Sequence, residues 1–199
     1  YTIGSSVSTY INATVRDCIA KATGAGSYTK GIFLAGPSHQ VINCIAYGFA
    51  LEGIYASNDT ANAGSCYILN CTAYSCGLGI CSGPANYRTY KTYAYNCTSF
   101  GCGTSDYGNP AGNWHASSSN NASEDGTAPG TDIDLSSYTA SQIWTDAANG
   151  DFSLVSGSPL IGEGTDLSAY FTTDIAGTTR SSWDIGAFEY VASGGGGVS

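Results

Sequence analysis

The stretches "NCIAYGF" (43–49), "NCTAYSC" (70–76) and "NCTSFGC" (96–102) are three copies of one short phrase, and "DCIAK" (17–21) is a partial fourth copy. Their leading cysteines follow one another at intervals of 26, 27 and 26 residues. The copies are rich in Tyr, Thr, Ile and Asn, which favour strands and turns over helices. A strand-forming repeat of this length predicts an all-β fold, a short right-handed parallel β-helix (a solenoid) with turns of about 26 residues.

In such a coil each residue lies above its counterpart one turn earlier, so repeated residues form columns. One column is predicted at a tight bend, where Asn tolerates a left-handed backbone and can hydrogen-bond along the stack. It contains Asp17, Asn43, Asn70 and Asn96. The next column is predicted to fill the interior with mostly buried thiols. It contains Cys18, Cys44, Cys71 and Cys97. Alternation along "VINCIAY" (41–47) adds Ile42 and Ala46 to the inward face.

The remaining cysteines leave a choice between metal ligands, disulfides and free thiols. Cys66, Cys71, Cys76 and Cys81 are spaced five apart, whereas zinc sites usually contain closer pairs, so no metal site is predicted. Eight cysteines is an even number, which is compatible with an oxidising compartment. The disulfide candidates are Cys76 with Cys102 and Cys66 with Cys81.

Composition excludes some classes of function. Charged residues make up 11% of the chain, and the net charge is −9 with only six Lys and Arg, which are scattered singly. A nucleic-acid surface needs clustered cations, so nucleic acid is not an expected partner. The chain also lacks the ~18 consecutive apolar residues of a membrane-spanning helix.

Beyond Asn121 the repeat fades and four ordered elements follow. They are "GDFSL" (150–154), "GSPLIGEG" (157–164), "DIAGTTR" (174–180) and "DIGAFEY" (184–190). This segment resembles the closing segment of a class of bacterial, phage and metagenomic β-helix proteins with a pectate-lyase-like superfold. The resemblance implies the β-helix fold and an exported or virion setting.

The expected organisation has three parts. Residues 1–135 form the coil with projecting loops, residues 136–190 form a capping segment, and residues 191–199 form a Gly-rich tail or linker. Because an open coil end exposes strand edges, the apolar side chains of the capping segment are expected to plug it. Arg180 is expected to form a buried ion pair with Asp174, Asp184 or Glu189.

Candidates for chemistry lie in the loops. A glycoside hydrolase needs two carboxyls across a cleft, and the weak candidates are Asp106, Glu124 and Asp125. None belongs to a recognisable catalytic phrase. No cofactor is predicted, although "DGTAPGTDID" (125–134) could hold calcium. Tyr107, expected to be exposed, could stack on a sugar ring together with Trp114 and His115, or these residues could belong to a packed loop.

The first functional hypothesis is a non-enzymatic extracellular structural or interaction protein, such as a fibre subunit, a phage tail or virion component, or a surface adhesin. Its expected partners are further copies in head-to-tail assembly, other fibre or virion subunits, or cell-surface glycans. The alternative is a carbohydrate-active enzyme, either a polysaccharide lyase or a glycoside hydrolase, or a non-catalytic glycan-binding module. Asn58 and Asn121, both expected in loops, are N-glycosylation sites if the host modifies such signals.

Overall fold

The chain folds into a parallel β-solenoid in the computed structural model, which describes residues 2–4, 12–23, 30–57, 64–83, 91–108, 113–130 and 132–192. Three parallel sheets form its walls. Sheet A contains β1 (Thr2–Gly4), β4 (Ile32–Ala35), β7 (Glu52–Ser57), β10 (Leu78–Cys81) and β13 (Ser105–Gly108). Sheet B contains β2 (Thr14–Arg16), β5 (Gln40–Ile42), β8 (Cys66–Leu69) and β11 (Thr92–Tyr95). Sheet C contains β3 (Ile19–Lys21), β6 (Ile45–Tyr47), β9 (Thr72–Tyr74), β12 (Thr98–Phe100), β14 (Asn121–Ser123) and β15 (Asp132–Asp134).

From β2 to β13 the chain passes through sheets B, C and A in that order four times. The paired residues confirm the register of the repeat, since Ile45 pairs with Ile19 in the preceding turn and with Thr72 in the next. The predicted all-β parallel solenoid with turns of about 26 residues is therefore confirmed.

The corner between sheets B and C is made by residues with a left-handed backbone. The φ angles are 53° at Asp17, 49° at Asn43, 47° at Asn70 and 54° at Asn96. Asn120, which the repeat did not identify, continues this column with φ 54°. Asn and Asp adopt this conformation more readily than other non-glycine residues, which explains why the corner selects them. These five residues are called the corner ladder below.

The corner resets the alternation of side chains. Val41 lies in the interior with Cys44 and Ala46, whereas Ile42 packs on the outside of the coil. The prediction that Ile42 faces inward was therefore wrong, because the left-handed residue at Asn43 interrupts the two-residue period of the strands.

The cysteine column lines the interior directly after the corner. Cys44, Cys71 and Cys97 are fully buried, and each sulfur lies 3.2–3.3 Å from the carbonyl oxygen two residues earlier. Burial raises the pKa of the Cys71 thiol well above its usual value, so it packs as a neutral filler. Cys18 is exposed, contrary to prediction, because it is the first member of this column and lies at the N-terminal end of the coil.

The first part of the C-terminal segment covers the outer face of sheet C. It contains α1 (Ala140–Ile143), β16 (Trp144–Asp146) and β17 (Asp151–Leu154), the last two paired antiparallel. Trp144 meets Tyr74 and Phe100 edge to face, with ring centroids 5.9 and 6.0 Å apart. The expectation that this segment plugs the coil end was wrong, since its apolar residues pack against the outer faces of the sheets.

Residues 160–190, the C-terminal strap, run along the corner ladder. Each of four ladder amides donates a hydrogen bond to a carbonyl oxygen of the strap. The bonds join Asn43 to Thr173 at 2.7 Å, Asn70 to Asp184 at 2.8 Å, Asn96 to Thr165 at 2.8 Å and Asn120 to Glu163 at 2.7 Å. The strap therefore contacts several successive turns at once.

Arg180 fastens the strap to the ladder from a buried position. Its Nη2 donates to the Asn43 side-chain oxygen at 3.0 Å, and its Nη1 pairs with a Glu189 carboxylate oxygen at 3.4 Å. Burial opposes the charge of Glu189, but hydrogen bonds from the backbone N–H groups of Ser181, Ser182 and Asp184 outweigh it and lower the pKa of Glu189. The predicted buried ion pair of Arg180 is thus present, with Glu189 as the partner.

Candidate functional site

The three candidate carboxylates converge at the C-terminal end of the solenoid, where they accept hydrogen bonds from backbone N–H groups. Asp106 lies in β13, with one carboxylate oxygen accepting a hydrogen bond from Glu124 N at 2.7 Å. Asp125 accepts from Asp106 N at 3.0 Å, and Glu124 accepts from Gly101 N at 3.1 Å. The expectation that Asp106 lies in a loop was wrong. Burial raises the pKa of Asp106, and the nearby charge of Asp125 adds to this effect.

These bonds close the outer edge of β13, the last strand of sheet A. Asp106 N donates to Asp125, and Tyr107 N donates to the Thr127 hydroxyl at 2.9 Å. Asp125 and Thr127 belong to residues 124–130, the end loop, which occupies the place of a further strand. Side-chain acceptors therefore satisfy backbone donors that an open edge would leave free.

Tyr107 is fully buried, so the prediction that it is exposed was wrong. It pairs with Ile80, which pairs with Ile54 one turn earlier, and both isoleucines face the interior. Tyr107 occupies the next inward position of this column, and its hydroxyl donates to Cys97 O at 2.8 Å. The spacing of Ile54, Ile80 and residue 107 was the sequence signal for its burial.

Trp114 closes the interior at the same end. It pairs with inward-facing Thr92, packs against the core and meets Tyr107 edge to face at 6.0 Å. Trp114 is therefore used for packing, in agreement with the packed-loop interpretation.

His115 faces outward on sheet B in a column of aromatic rings. Its ring stacks on Tyr93 at 3.9 Å, and Tyr93 stacks on Tyr67 at 4.8 Å. A sugar ring binds an aromatic side chain across its face, whereas Tyr93 is stacked between His115 and Tyr67. The middle of the column thus presents ring edges and hydroxyls rather than open faces.

None of the eight cysteines forms a disulfide bond in this structure, so neither disulfide candidate is formed. Cys66 donates to Gly36 O at 3.3 Å, and Cys76 lies 3.4 Å from Tyr74 O. Cys102 contacts the Ser99 hydroxyl at 3.4 Å, and burial raises the pKa of Cys81 to about 12. Side chains in one column point in the same direction, a geometry that suits contacts with carbonyls better than the dihedral of a disulfide.

The glycosylation candidates have different outcomes. Asn121 lies in β14 and not in a loop, and its amide is engaged inside the fold. It donates to Ala94 O at 3.0 Å and to Pro129 O at 2.7 Å, and it accepts from Cys97 N at 3.0 Å. A glycan on Asn121 would break these bonds, so this prediction is corrected. Asn58 and residues 193–199 of the predicted tail lie outside the described residues.

The N-terminal end is finished differently. Strands β2 and β3 are the first strands of sheets B and C, and each pairs on one side only among the described residues. Between them and sheet A is an opening of about 840 Å³, lined by apolar residues that include Val15, Ala20 and Phe49. Ile19 in β3 is 57% exposed beside it.

The two ends also differ in charge. Arg16, Lys21 and Lys30 surround the N-terminal opening. Two of these cations have local partners, since Arg16 pairs with Asp17 at 2.9 Å and Lys30 with Glu52 at 3.4 Å. The C-terminal end carries acidic residues on the end loop and on β15. They are Glu124, Asp125, Asp132 and Asp134.

Within the described ranges, no group of three His, Cys, Asp or Glu side chains could hold a metal ion. No helix in that part of the chain is long and apolar enough to cross a membrane. Comparisons of the chain with protein-family models, with curated proteins and with solved structures each gave no match. The resemblance of the C-terminal segment to β-helix proteins of bacteria and phages therefore stays a prediction.

Proposed function

We propose that this chain is a non-enzymatic structural protein of an extracellular assembly, such as a fibre or a virion, in which solenoids join end to end. The observation that carries this proposal is the N-terminal end, where β2 and β3 border an apolar opening and each pairs on one side only among the described residues. Free strand edges beside apolar surface are the features through which β-proteins add a further strand from another chain. The extracellular setting rests on the resemblance of the C-terminal segment.

The bonding of the acidic residues favours this proposal over the carbohydrate-active enzyme. A glycoside hydrolase presents its two carboxyls to a substrate across a cleft. Here Asp106 is only 2% exposed, and Asp106 and Asp125 both accept hydrogen bonds from backbone N–H groups of the same chain end. Their bonds hold the end loop on β13, which is a structural task.

The test is whether the 199-residue chain associates as its concentration rises. Sedimentation velocity over a wide concentration range, with negative-stain electron microscopy of the same samples, should show chains of particles that lengthen with concentration. Ile19→Asp should weaken this association at least tenfold, because it places a charge at the centre of the free edge of β3. Leu51→Asp is the matched control, since Leu51 is 47% exposed away from the opening.

Far-UV circular dichroism should show that both variants are folded. A wild-type protein that stays monomeric at all concentrations, or equal association of the two variants, would contradict the proposal.

A further inference from the structure

We infer that the contact between copies is made by sheet C, with β15 of one copy adding in parallel to β3 of the next. This inference rests on the proposed function and specifies its interface. It follows from the position of the two strands, since each is an end strand of sheet C and pairs on one side only among the described residues.

The shape of the C-terminal end singles out β15. Sheet C continues for two strands beyond β12, whereas sheet A stops at β13, whose edge is closed by the end loop. A second copy approaching this end along the solenoid axis therefore meets β15 as the projecting strand. At the opposite end sheet A includes the extra strand β1, while among the described residues sheet C begins at β3. The projecting sheet of one end thus faces the recessed sheet of the other.

The register within one chain predicts which residues would meet. Asn121, Ala122 and Ser123 pair with Asp132, Ile133 and Asp134 in β15. Followed back through the sheet, the column of Ile133 begins at Ile19. If the same columns continue into the next copy, Asp132 pairs with Cys18, Ile133 with Ile19 and Asp134 with Ala20 of that copy.

The central meeting covers exposed apolar surface. Ile19, which is 57% exposed, would be covered by another isoleucine. The two ends also carry opposite charge, since Arg16, Lys21 and Lys30 surround the N-terminal opening whereas Asp132 and Asp134 lie on β15. Opposite charges at the two ends attract, whereas two N-terminal ends brought face to face would bring the same three cations together. The charges therefore favour head-to-tail contact over a symmetric dimer.

A cysteine at position 132 tests the register. Cys18 is the exposed thiol of the eight, so Asp132→Cys creates a pair between copies without a second substitution. Dibromobimane joins two neighbouring thiols by alkylating each sulfur with loss of two bromide ions, so it does not require the dihedral angle of a disulfide. Non-reducing electrophoresis should then show an open series of dimers, trimers and larger species, as expected for a heterologous contact.

Three controls make the result specific. Cys18→Ser in the Asp132→Cys background should abolish the series, and Asp166→Cys, an exposed position on the strap, should give none. If Asp132→Cys does not fold, the pair Ala20→Cys and Asp134→Cys in a Cys18→Ser background tests the next column. Association without cross-linking in either pair would overturn this inference and leave the proposed function standing. Cross-linking that stops at dimers would overturn the head-to-tail arrangement.

Discussion

At the N-terminal end of this solenoid, strands β2 and β3 surround an apolar opening and Ile19 is exposed. At the C-terminal end the same coil is filled by Tyr107 and Trp114, and the end loop supplies side-chain acceptors for β13. The difference shows that the repeat alone does not close the end of a solenoid. A finished end needs bulky side chains in the inward columns and polar side chains that replace the missing strand.

The largest expected effect comes from removing the tryptophan that fills the closed end. Trp114→Ala should lower the free energy of unfolding by about 3 kcal/mol, because it leaves a cavity beside Tyr107 that the end loop cannot fill. Val15→Ala at the open end should cost less than about 1 kcal/mol, because Val15 already borders an opening. Urea denaturation monitored by far-UV circular dichroism, a signal that does not require Trp114, measures both free energies of unfolding. Equal losses of stability in the two variants would refute the distinction between the ends.

The next effect concerns the acceptor that closes β13. Thr127→Val keeps the shape of the side chain but leaves Tyr107 N and the Ser105 hydroxyl without this partner, which should cost about 1–2 kcal/mol. Thr127→Ser retains the hydroxyl and should lie closer to the wild type in urea denaturation. If Thr127→Val were as stable as Thr127→Ser, the end loop would not be closing the strand edge through this side chain.

A smaller effect depends on pH. Burial raises the pKa of Asp106 above the 3.8 of an unperturbed Asp. Its contribution to stability is therefore fully present below the unfolded pKa and is lost as pH rises through the folded pKa. Wild type should gain stability relative to Asp106→Asn as pH falls from neutral toward about 4. Unfolding free energies of both proteins across this range provide the measurement.

Asp166→Asn is the control for this pH dependence. A hydrogen bond from Ser168 N lowers the pKa of Asp166, so its contribution is present above the unfolded pKa and lost as pH falls through the folded one. Wild type should therefore change relative to Asp166→Asn in the opposite direction. The same direction for both variants would show that Asp106 is not the group responsible.

The smallest effect on stability separates two cysteines of one column. Cys18→Ser should leave the unfolding midpoint unchanged, and native alkylation followed by mass spectrometry should modify Cys18 well before Cys97, because Cys18 is exposed and Cys97 is fully buried. Comparable alkylation rates for the two thiols would mean that the interior of the coil opens as readily as its N-terminal end.

The periodicity of the sequence was sufficient to predict the turns. Asn43, Asn70 and Asn96 recur with their cysteines at an almost constant interval, and one side-chain type is required at each left-handed corner. The repeat did not identify Asn120 for two reasons. Its turn is shorter, since Cys97 bonds to Asn121 across 24 residues, and no cysteine follows Asn120. A repeat is recognised by spacing, so its irregular last turn is the hardest to find.

The candidate site was less predictable. Tyr107 was predicted to be exposed, because a tyrosine carries a polar hydroxyl and does not resemble the two isoleucines at the equivalent positions. These isoleucines, Ile54 and Ile80, precede it in the same inward column. The end loop bonds to β13 through Asp125 and Thr127, which depends on a loop conformation that no periodicity encodes. The structure brings Asp106, Glu124 and Asp125 to one end of the coil, where backbone N–H groups are their partners.

The strap has a consequence for how the molecule unfolds. In a simple solenoid each turn touches only its neighbours, so turns can melt one after another from an end. Here the strap bonds to Asn43 near one end of the ladder, where Arg180 also bonds to the Asn43 side chain, and to Asn120 near the other end. Loss of one terminal turn would therefore strip contacts from distant turns. Because the strap couples turns that would otherwise contact only their neighbours, we expect the coil to unfold as a single cooperative unit rather than turn by turn.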